Sequence, residues 1–495
     1  MDIHNNRPSC RFFIDVFLVL LSSILIAALL IATKMDGKLF KIIMLGLFGL
    51  TVLVIVPCRE KILLCLTAFL LPLEISINFL YEETWYKRPI NGFVISAFDI
   101  PFFLLMLLWL HRLSYDYTLQ VRLFPHITLP FCCIWLLALV GLYSLDTSLL
   151  IKVSVLFLMF KSWLVFIYLS NNIYNQETVL LLVGVLLLSG LLQSMIGIGE
   201  YINNGPLGLE ILGECTGDLQ KNQEGRARVC GTVGGHANKL ALFLVTLLQL
   251  NMTYFFIRFP KQYRYMRWMY QLPLLPMLLT LLLSFSRGGW FSFLLGGILN
   301  GYWCMARRTG KKLLSAILII GFFISFGTTM FVFVPPVRNR LLMDDDGAAD
   351  VRKPTAEIAR NIIYHHPLLG VGLNNYRSAI HKYDETDIGI SYEWQAAVHN
   401  EFLLIAAEIG VPALIFFIYI LAWLWFTLWR IAQSKSNSIF PYLAIGFFCG
   451  LISWSMQNQK EYQYVFFTTR FWYHIGIMMA IKSLTEEQAY DQRFL

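Results

Sequence analysis

Apolar stretches of about 17–25 residues, the length that crosses ~30 Å of hydrocarbon, recur along the whole of this chain. The pattern predicts helices over 12–33, 40–56, 62–80, 94–110, 127–144, 151–169 and 178–201 in the first half. In the second half it predicts 238–257, 272–286, 289–305, 313–335, 402–429, 439–456 and 464–482. Of the 495 residues, 57% are hydrophobic and only 14% charged, with a mean hydropathy of +0.62. Soluble domains run near ~45–50% apolar and ~25% charged, so a soluble enzyme, a disordered scaffold and a secreted disulfide scaffold are all poor fits. The reading is an all-α, polytopic membrane helical bundle of about 12–14 transmembrane helices. With no internal repeat and no long linker, residues 1–495 read as a single membrane domain.

Arg7 and Arg11 precede the apolar run from Phe12 to Thr33, which is too long for a signal-peptide core and lacks a small-x-small cleavage site. It reads as the first membrane helix. The net charge of 39 − 31 = +8 fits basic loops that orient helices in a bilayer, without any need for nucleic acid. Arg258 to Arg267, Arg307 to Lys312 and Arg430 to Lys435 are the basic loops, which places them in the cytoplasm. Lys34, Lys38 and Lys41 run against that assignment. Nine cysteines without a Cys-x-x-Cys pair suggest neither a metal site nor a disulfide framework. Cys215 and Cys230 share one outward segment and could join in an oxidising compartment.

On this topology three segments emerge outside the cytoplasm: 202–237, the tight turn Ser284–Gly289, and a long loop 336–401 before the third-last helix. The long loop contains an acidic Asp344-Asp345-Asp346-Gly347 turn, read as solvated because it lacks a calcium-loop pattern. It also holds a helical pattern at Ala356–His365, with Ile358, Ile362 and Ile363 on one face. Arg228, Arg287 and His399 sit where these segments meet membrane helices. Two arginines at helix ends suit a diphosphate, since guanidinium forms bidentate charge-assisted bonds and keeps its charge. Gly288 and Gly289 let backbone N–H groups approach the same anion. The competing reading is that such arginines only reach toward lipid head groups. His399 is an outward base at a helix start, suited to taking a proton from a hydroxyl; Asn400 beside it suits a helix cap. His365 and His366, just before Pro367, read as helix-end residues. Glu74, Asp99 and Arg470 fall inside apolar stretches, where charges pair or face a cavity. Arg470 could pair with Glu74 or Asp99, or add a further phosphate contact.

Together these motifs resemble the O-antigen ligase and O-antigen polymerase superfamily. Ser286-Arg287-Gly288-Gly289 is similar to its SRGG turn, and His366-Pro367-Leu368-Leu369-Gly370-Val371-Gly372-Leu373-Asn374-Asn375-Tyr376 to its HPLLGVGxxNF segment. His399-Asn400-Glu401-Phe402-Leu403 with Glu408-Ile409-Gly410 resembles its HNxxL…ExG re-entry helix, and Arg228 to Thr232 its RxxGT segment. The resemblance covers about residues 220–430. Two features depart from it: more spans than the ligase branch has, and Gly234-Gly235-His236-Ala237-Asn238 in place of a GNPN-like turn.

The resemblance implies a GT-C-like, metal-independent membrane glycosyltransferase without a cofactor, in the bacterial cytoplasmic membrane with its active site facing outward. It implies an undecaprenyl-diphosphate-linked oligosaccharide as donor and a glycan as acceptor. Arg228 and Arg287, with Gly288, Gly289, Asn400 and Arg470, would bind substrate, and His399 would activate the acceptor hydroxyl. A polymerase of exopolysaccharide, O-antigen or teichuronic-type repeats is the first expectation. Ligation onto lipid A core and protein O-glycosylation are the alternatives, and a lipid-linked glycan transporter is the non-enzyme alternative. Chain-length regulator and flippase proteins are the implied cellular partners.

Overall fold

The computed structural model describes residues 59–83, 89–143, 148–215, 219–221, 224–257, 264–342, 351–387, 389–393, 395–436 and 438–494. The expected spans 12–33 and 40–56, the Lys34–Lys41 loop, most of the Arg258–Arg267 loop and the Asp344–Asp346 turn lie outside the described residues. The chain divides into two compact units, residues 1–67 with 98–112, and residues 68–97 with 113–495. Arg228, Arg287, His399 and the residues that position them belong to the second.

The first elements are α1 (Arg59–Leu70), a hairpin of β1 (Ser76–Tyr81) and β2 (Gly92–Ser96), and α2 (Asp99–Tyr115). Next come α3 (Pro125–Tyr143), α4 (Leu149–Asn172), α5 (Gln176–Asn203), α6 (Ala237–Thr253), α7 (Arg264–Gln271), α8 (Leu274–Leu283) and α9 (Arg287–Thr309). The chain continues through α10 (Lys312–Phe333), α11 (Pro335–Leu342) and α12 (Arg352–His365), then two single-turn helices at Tyr376–Ala379 and Ile390–Glu393. It ends with α13 (Glu401–Ile409), α14 (Val411–Gln433), α15 (Phe440–Gln457) and α16 (Thr469–Phe494).

Among the described residues α3, α4, α5, α10 and α14 are long and apolar enough to cross a membrane. Helices suit that environment because every backbone polar group is satisfied within the segment. The fold is thus all-α and polytopic, with one small antiparallel hairpin. Its interior is built mainly by α6, α9, α15 and α8 packing on one another, with α16 on α4 and α14 on α3 and α15.

Four expected spans need correction: the 94–110 stretch begins as strand β2 and becomes helical only at Asp99. The 62–80 stretch is helical only to Leu70, because Pro72 interrupts the helix; an extended strand follows, paired in register Ser76 with Ser96 and Ile77 with Ile95. The 464–482 helix begins at Thr469, after a turn in which Tyr464 has a positive φ of 55°. The 402–429 stretch is two helices broken at Gly410.

That break is forced by the chain. Gly410 has φ +98°, and a Cβ there would lie 2.1 Å from the Leu368 carbonyl oxygen. Gly370, at φ +62°, is pressed against the backbone of Glu408 in the same way. Between them, Val371 N donates to Ala407 O at 2.9 Å and Val411 N to Pro367 O at 2.8 Å. The His366–Tyr376 and Glu408–Gly410 motifs are therefore two sides of one close backbone contact. Around it, Ile358, Ala359, Ile362, Tyr376, Ile380, Val398 and Leu404 form a core of their own, so the long loop folds as a cap on α13. Gly410→Ala is expected to cost more than about 2 kcal/mol, from the clash and the positive φ together. A thermal unfolding scan in detergent checks this; an unchanged midpoint would contradict the packing described here.

Candidate active site

Arg228 is placed by α5. The buried Glu200 carboxylate near the end of that helix accepts the backbone N–H groups of Cys230 and Gly231 at 2.8 and 3.0 Å. About two turns earlier, Gln193 accepts Thr232 N at 2.9 Å and donates to Thr232 Oγ1 at 2.7 Å. Gly231, with φ +56°, leaves no room for a Cβ beside Gln193. Arg228 itself donates from Nε to Ser284 O at 3.2 Å, from one terminal nitrogen to Gln220 Oε1 at 3.0 Å, and from the other to Asn238 Oδ1 at 3.2 Å.

Those contacts bring the first arginine to the turn that carries the second. Ser284–Ser286 link α8 to α9 with Phe285 at φ 50°, and Arg287 opens α9, half-buried. Ser286 caps α9 by accepting Gly289 N at 3.3 Å, so the Gly289 N–H is committed within the turn. Gly289 instead serves packing, since a Cβ would meet Ala241 Cβ at 2.9 Å. Gly288 faces open space. A third guanidinium joins the turn: Arg340 of α11 donates from Nε to Phe285 O at 3.2 Å.

The same Asn238 that accepts from Arg228 donates from Nδ2 to Glu461 Oε2 at 2.8 Å. Glu461 lies in the polar link between α15 and α16, almost fully buried. Its neighbour Tyr462 packs edge-on against His399 with ring centroids 5.5 Å apart and accepts from Arg377 at 3.3 Å. Glu401 fixes this link: its buried carboxylate accepts Gln463, Tyr464 and Val465 N–H at 2.6, 3.1 and 2.7 Å. Its own N–H donates to Asn458 O at 2.9 Å. Asn400 caps α13 by accepting Phe402 and Leu403 N–H at 3.0 Å each, so its side-chain oxygen is committed to the helix.

The charges around His399 set its basicity. Burial lowers its pKa; the Glu461 carboxylate opposes that shift and Arg352 adds to it. Burial also drives His236 down to about 4, against Glu461 and with help from Arg228, Lys239 and His399. Its neutral Nδ1 accepts Asn238 N at 3.3 Å, which a protonated ring nitrogen could not do. Both histidines are neutral near pH 7.

Thus Arg228, Asn238 and Glu461 form one hydrogen-bonded path, with His399 beside its Glu461 end against Tyr462 and with Arg287 and Arg340 on its Ser284–Gly289 side. Asn238 was visible only as the last residue of the turn that departs from the GNPN-like motif, and Glu461, Arg340 and Arg352 carry no sequence motif of their own. Arg470 is paired with Glu74 at 2.8 Å. Asp99 is buried in the first turn of α2. His365 Nδ1 contacts Asn361 O at 2.9 Å and His366 meets the Tyr383 hydroxyl, which is structural use. Among the described residues, no group of three or more His, Cys, Asp and Glu side chains could hold a metal ion.

Residues 272–418 match the family model described as O-antigen ligase. This segment, under a third of the chain, is similar to the O-antigen ligase family. It contains the Ser284–Gly289 turn, Arg340, the Gly370–Gly410 contact and His399, while Arg228, Glu461 and Arg470 lie outside the match. No curated protein matches the chain. The five long apolar helices and this match together make the chain a membrane protein.

The segment holding Arg228 also brings Cys215 Sγ within 3.3 Å of Cys230 Sγ, both as thiols. A two-electron thiol oxidant is expected to join them, removing two labelled thiols that reductant restores. Equal labelling before and after oxidation, read by mass spectrometry of the two peptides, would contradict this placement.

Proposed function

We propose that this protein is a membrane glycosyltransferase that polymerises polyprenyl-diphosphate-linked oligosaccharide units outside the cytoplasmic membrane. The observation that carries the reading is the hydrogen-bonded path from Arg228 through Asn238 to Glu461, beside His399. Cations suited to a diphosphate stand at one end of it and a neutral base at the other.

The acceptor hydroxyl gives its proton to His399 as its oxygen attacks the anomeric carbon of the donor. The bond from that carbon to the diphosphate oxygen breaks, and the electron pair leaves with the lipid diphosphate. Attack from the side opposite the leaving group inverts the anomeric centre. Arg287 and Arg228 hold the diphosphate and stabilise the charge that develops on it, with Arg340 adding to the field of the turn. Glu461 stabilises the imidazolium that His399 becomes, the same interaction that raises its pKa in the resting site. Burial more than offsets that raise, which keeps the base deprotonated before attack.

The test is cell-free transfer by purified protein in lipid, with undecaprenyl-diphosphate oligosaccharide alone and with lipid A core added. A ladder of longer lipid-linked chains without core is expected; product only with core would instead make the enzyme a ligase. His399→Ala is expected to reduce the rate by about 10²–10⁴, and Arg287→Gln by about 10²–10³. Since the neutral form of His399 is the active one and its pKa lies below the usual ~6.5, activity should persist below that value and fall only at more acid pH. An acid limb above pH ~7 would contradict His399 as the base.

A further inference from the structure

A narrow groove runs between α6, α15 and α16 beside this site. At one end stand Lys239, Gln463 and Arg470; Leu242, Leu451 and Met478 are among the apolar residues that line the rest. Lys239 is in the first turn of α6 and Arg470 in the first turn of α16, so the two cations share one end. Met478 lies eight residues beyond Arg470, about 12 Å along the helix axis. α6 and α16 both pack on α15, and Gly450 of α15, without a side chain, forms part of the floor. A slot of this form is complementary to an amphiphile with an anionic head and a narrow hydrocarbon tail.

The two cations are not equivalent. Arg470 is paired with Glu74, whose carboxylate also lies near the Lys239 stem beside Gly234, while Lys239 itself forms no salt bridge among the described residues. Lys239 follows Asn238, so it projects from α6 about 100° round from the side chain that bridges Arg228 to Glu461. The groove is therefore separate from the Arg228–Arg287 side of the array yet joined to it: Gln463, which lines it, is held by Glu401 two residues after His399.

We propose that this groove is a second lipid-phosphate site, occupied by the phosphate and first isoprene units of the acceptor. Donor and acceptor would then both be lipid-linked and would enter on different faces of α6, with the Asn238–Glu461 bridge between them. The acceptor role rests on the polymerase reading above; the lipid site itself does not.

Native mass spectrometry of the full-length protein in detergent, titrated with undecaprenyl phosphate carrying no sugar, tests this. Wild type is expected to bind two lipids. Lys239→Gln should weaken one of them at least tenfold, Lys239→Arg should restore it, and Arg287→Gln should weaken the other. His399→Ala should keep both. One bound lipid in wild type, or two in Lys239→Gln with unchanged affinity, overturns the proposal. So does displacement of the second lipid by equimolar phosphatidylglycerol, which makes the groove a site for bulk lipid, or by millimolar inorganic phosphate, which makes it a head-group site only. Two lipids bound without transfer in any assay would overturn the catalytic reading and leave the lipid site standing; transfer with one bound lipid would do the reverse.

Discussion

Buried carboxylates that accept backbone N–H groups hold this site together. Glu200 fixes Cys230 and Gly231, Glu401 fixes Gln463 to Val465, and Glu408 accepts Tyr376 N at 3.1 Å. All three are almost completely removed from water. Burying such a group without donors is costly, and breaking the contact from either side leaves a buried polar atom unsatisfied. Each of these side chains therefore fixes where a loop meets a helix end, since any other placement leaves buried polar groups unpaired. The three loops so tied carry Arg228, Glu461 and the segment that backs α13.

This construction explains why residues far apart in the chain meet. Arg228 and His399 lie in separate loops, and no single helix carries both. Asn238 connects them by accepting from one and donating to the carboxylate beside the other. An amide suits that position because it has an acceptor and a donor on one short side chain. His236, kept neutral by burial, caps the helix that presents Asn238.

Much of this was legible in the sequence, for physical reasons that differ between parts. The long uninterrupted apolar runs of α3, α4, α5, α10 and α14 identify themselves, since length and composition are what hydrocarbon demands. The breaks at Pro72 and Gly410 were missed because an averaged hydropathy window does not register one residue that cannot continue a helix. Arg287 and His399 were visible through their neighbours, Gly288-Gly289 and Asn400, although Gly289 and Asn400 turn out to commit hydrogen-bonding groups to their own helices. Glu461 was not visible: its contact with Asn238 joins residues 223 positions apart, and nothing local marks it. Arg470 offered two roles, and its ion pair with Glu74 accounts for its place in an apolar stretch.

The central claim is that the cationic and basic ends of the site act as one array through Asn238 and Glu461. A double-mutant cycle on the transfer rate, with Asn238→Ala, Glu461→Gln and both together, addresses it most directly. Residues sharing a hydrogen bond in one network couple by about 0.5–3 kcal/mol, and the double variant should therefore be less impaired than the two single losses combined. Losses that add to within about 0.3–0.5 kcal/mol would show two independent sites and contradict the account.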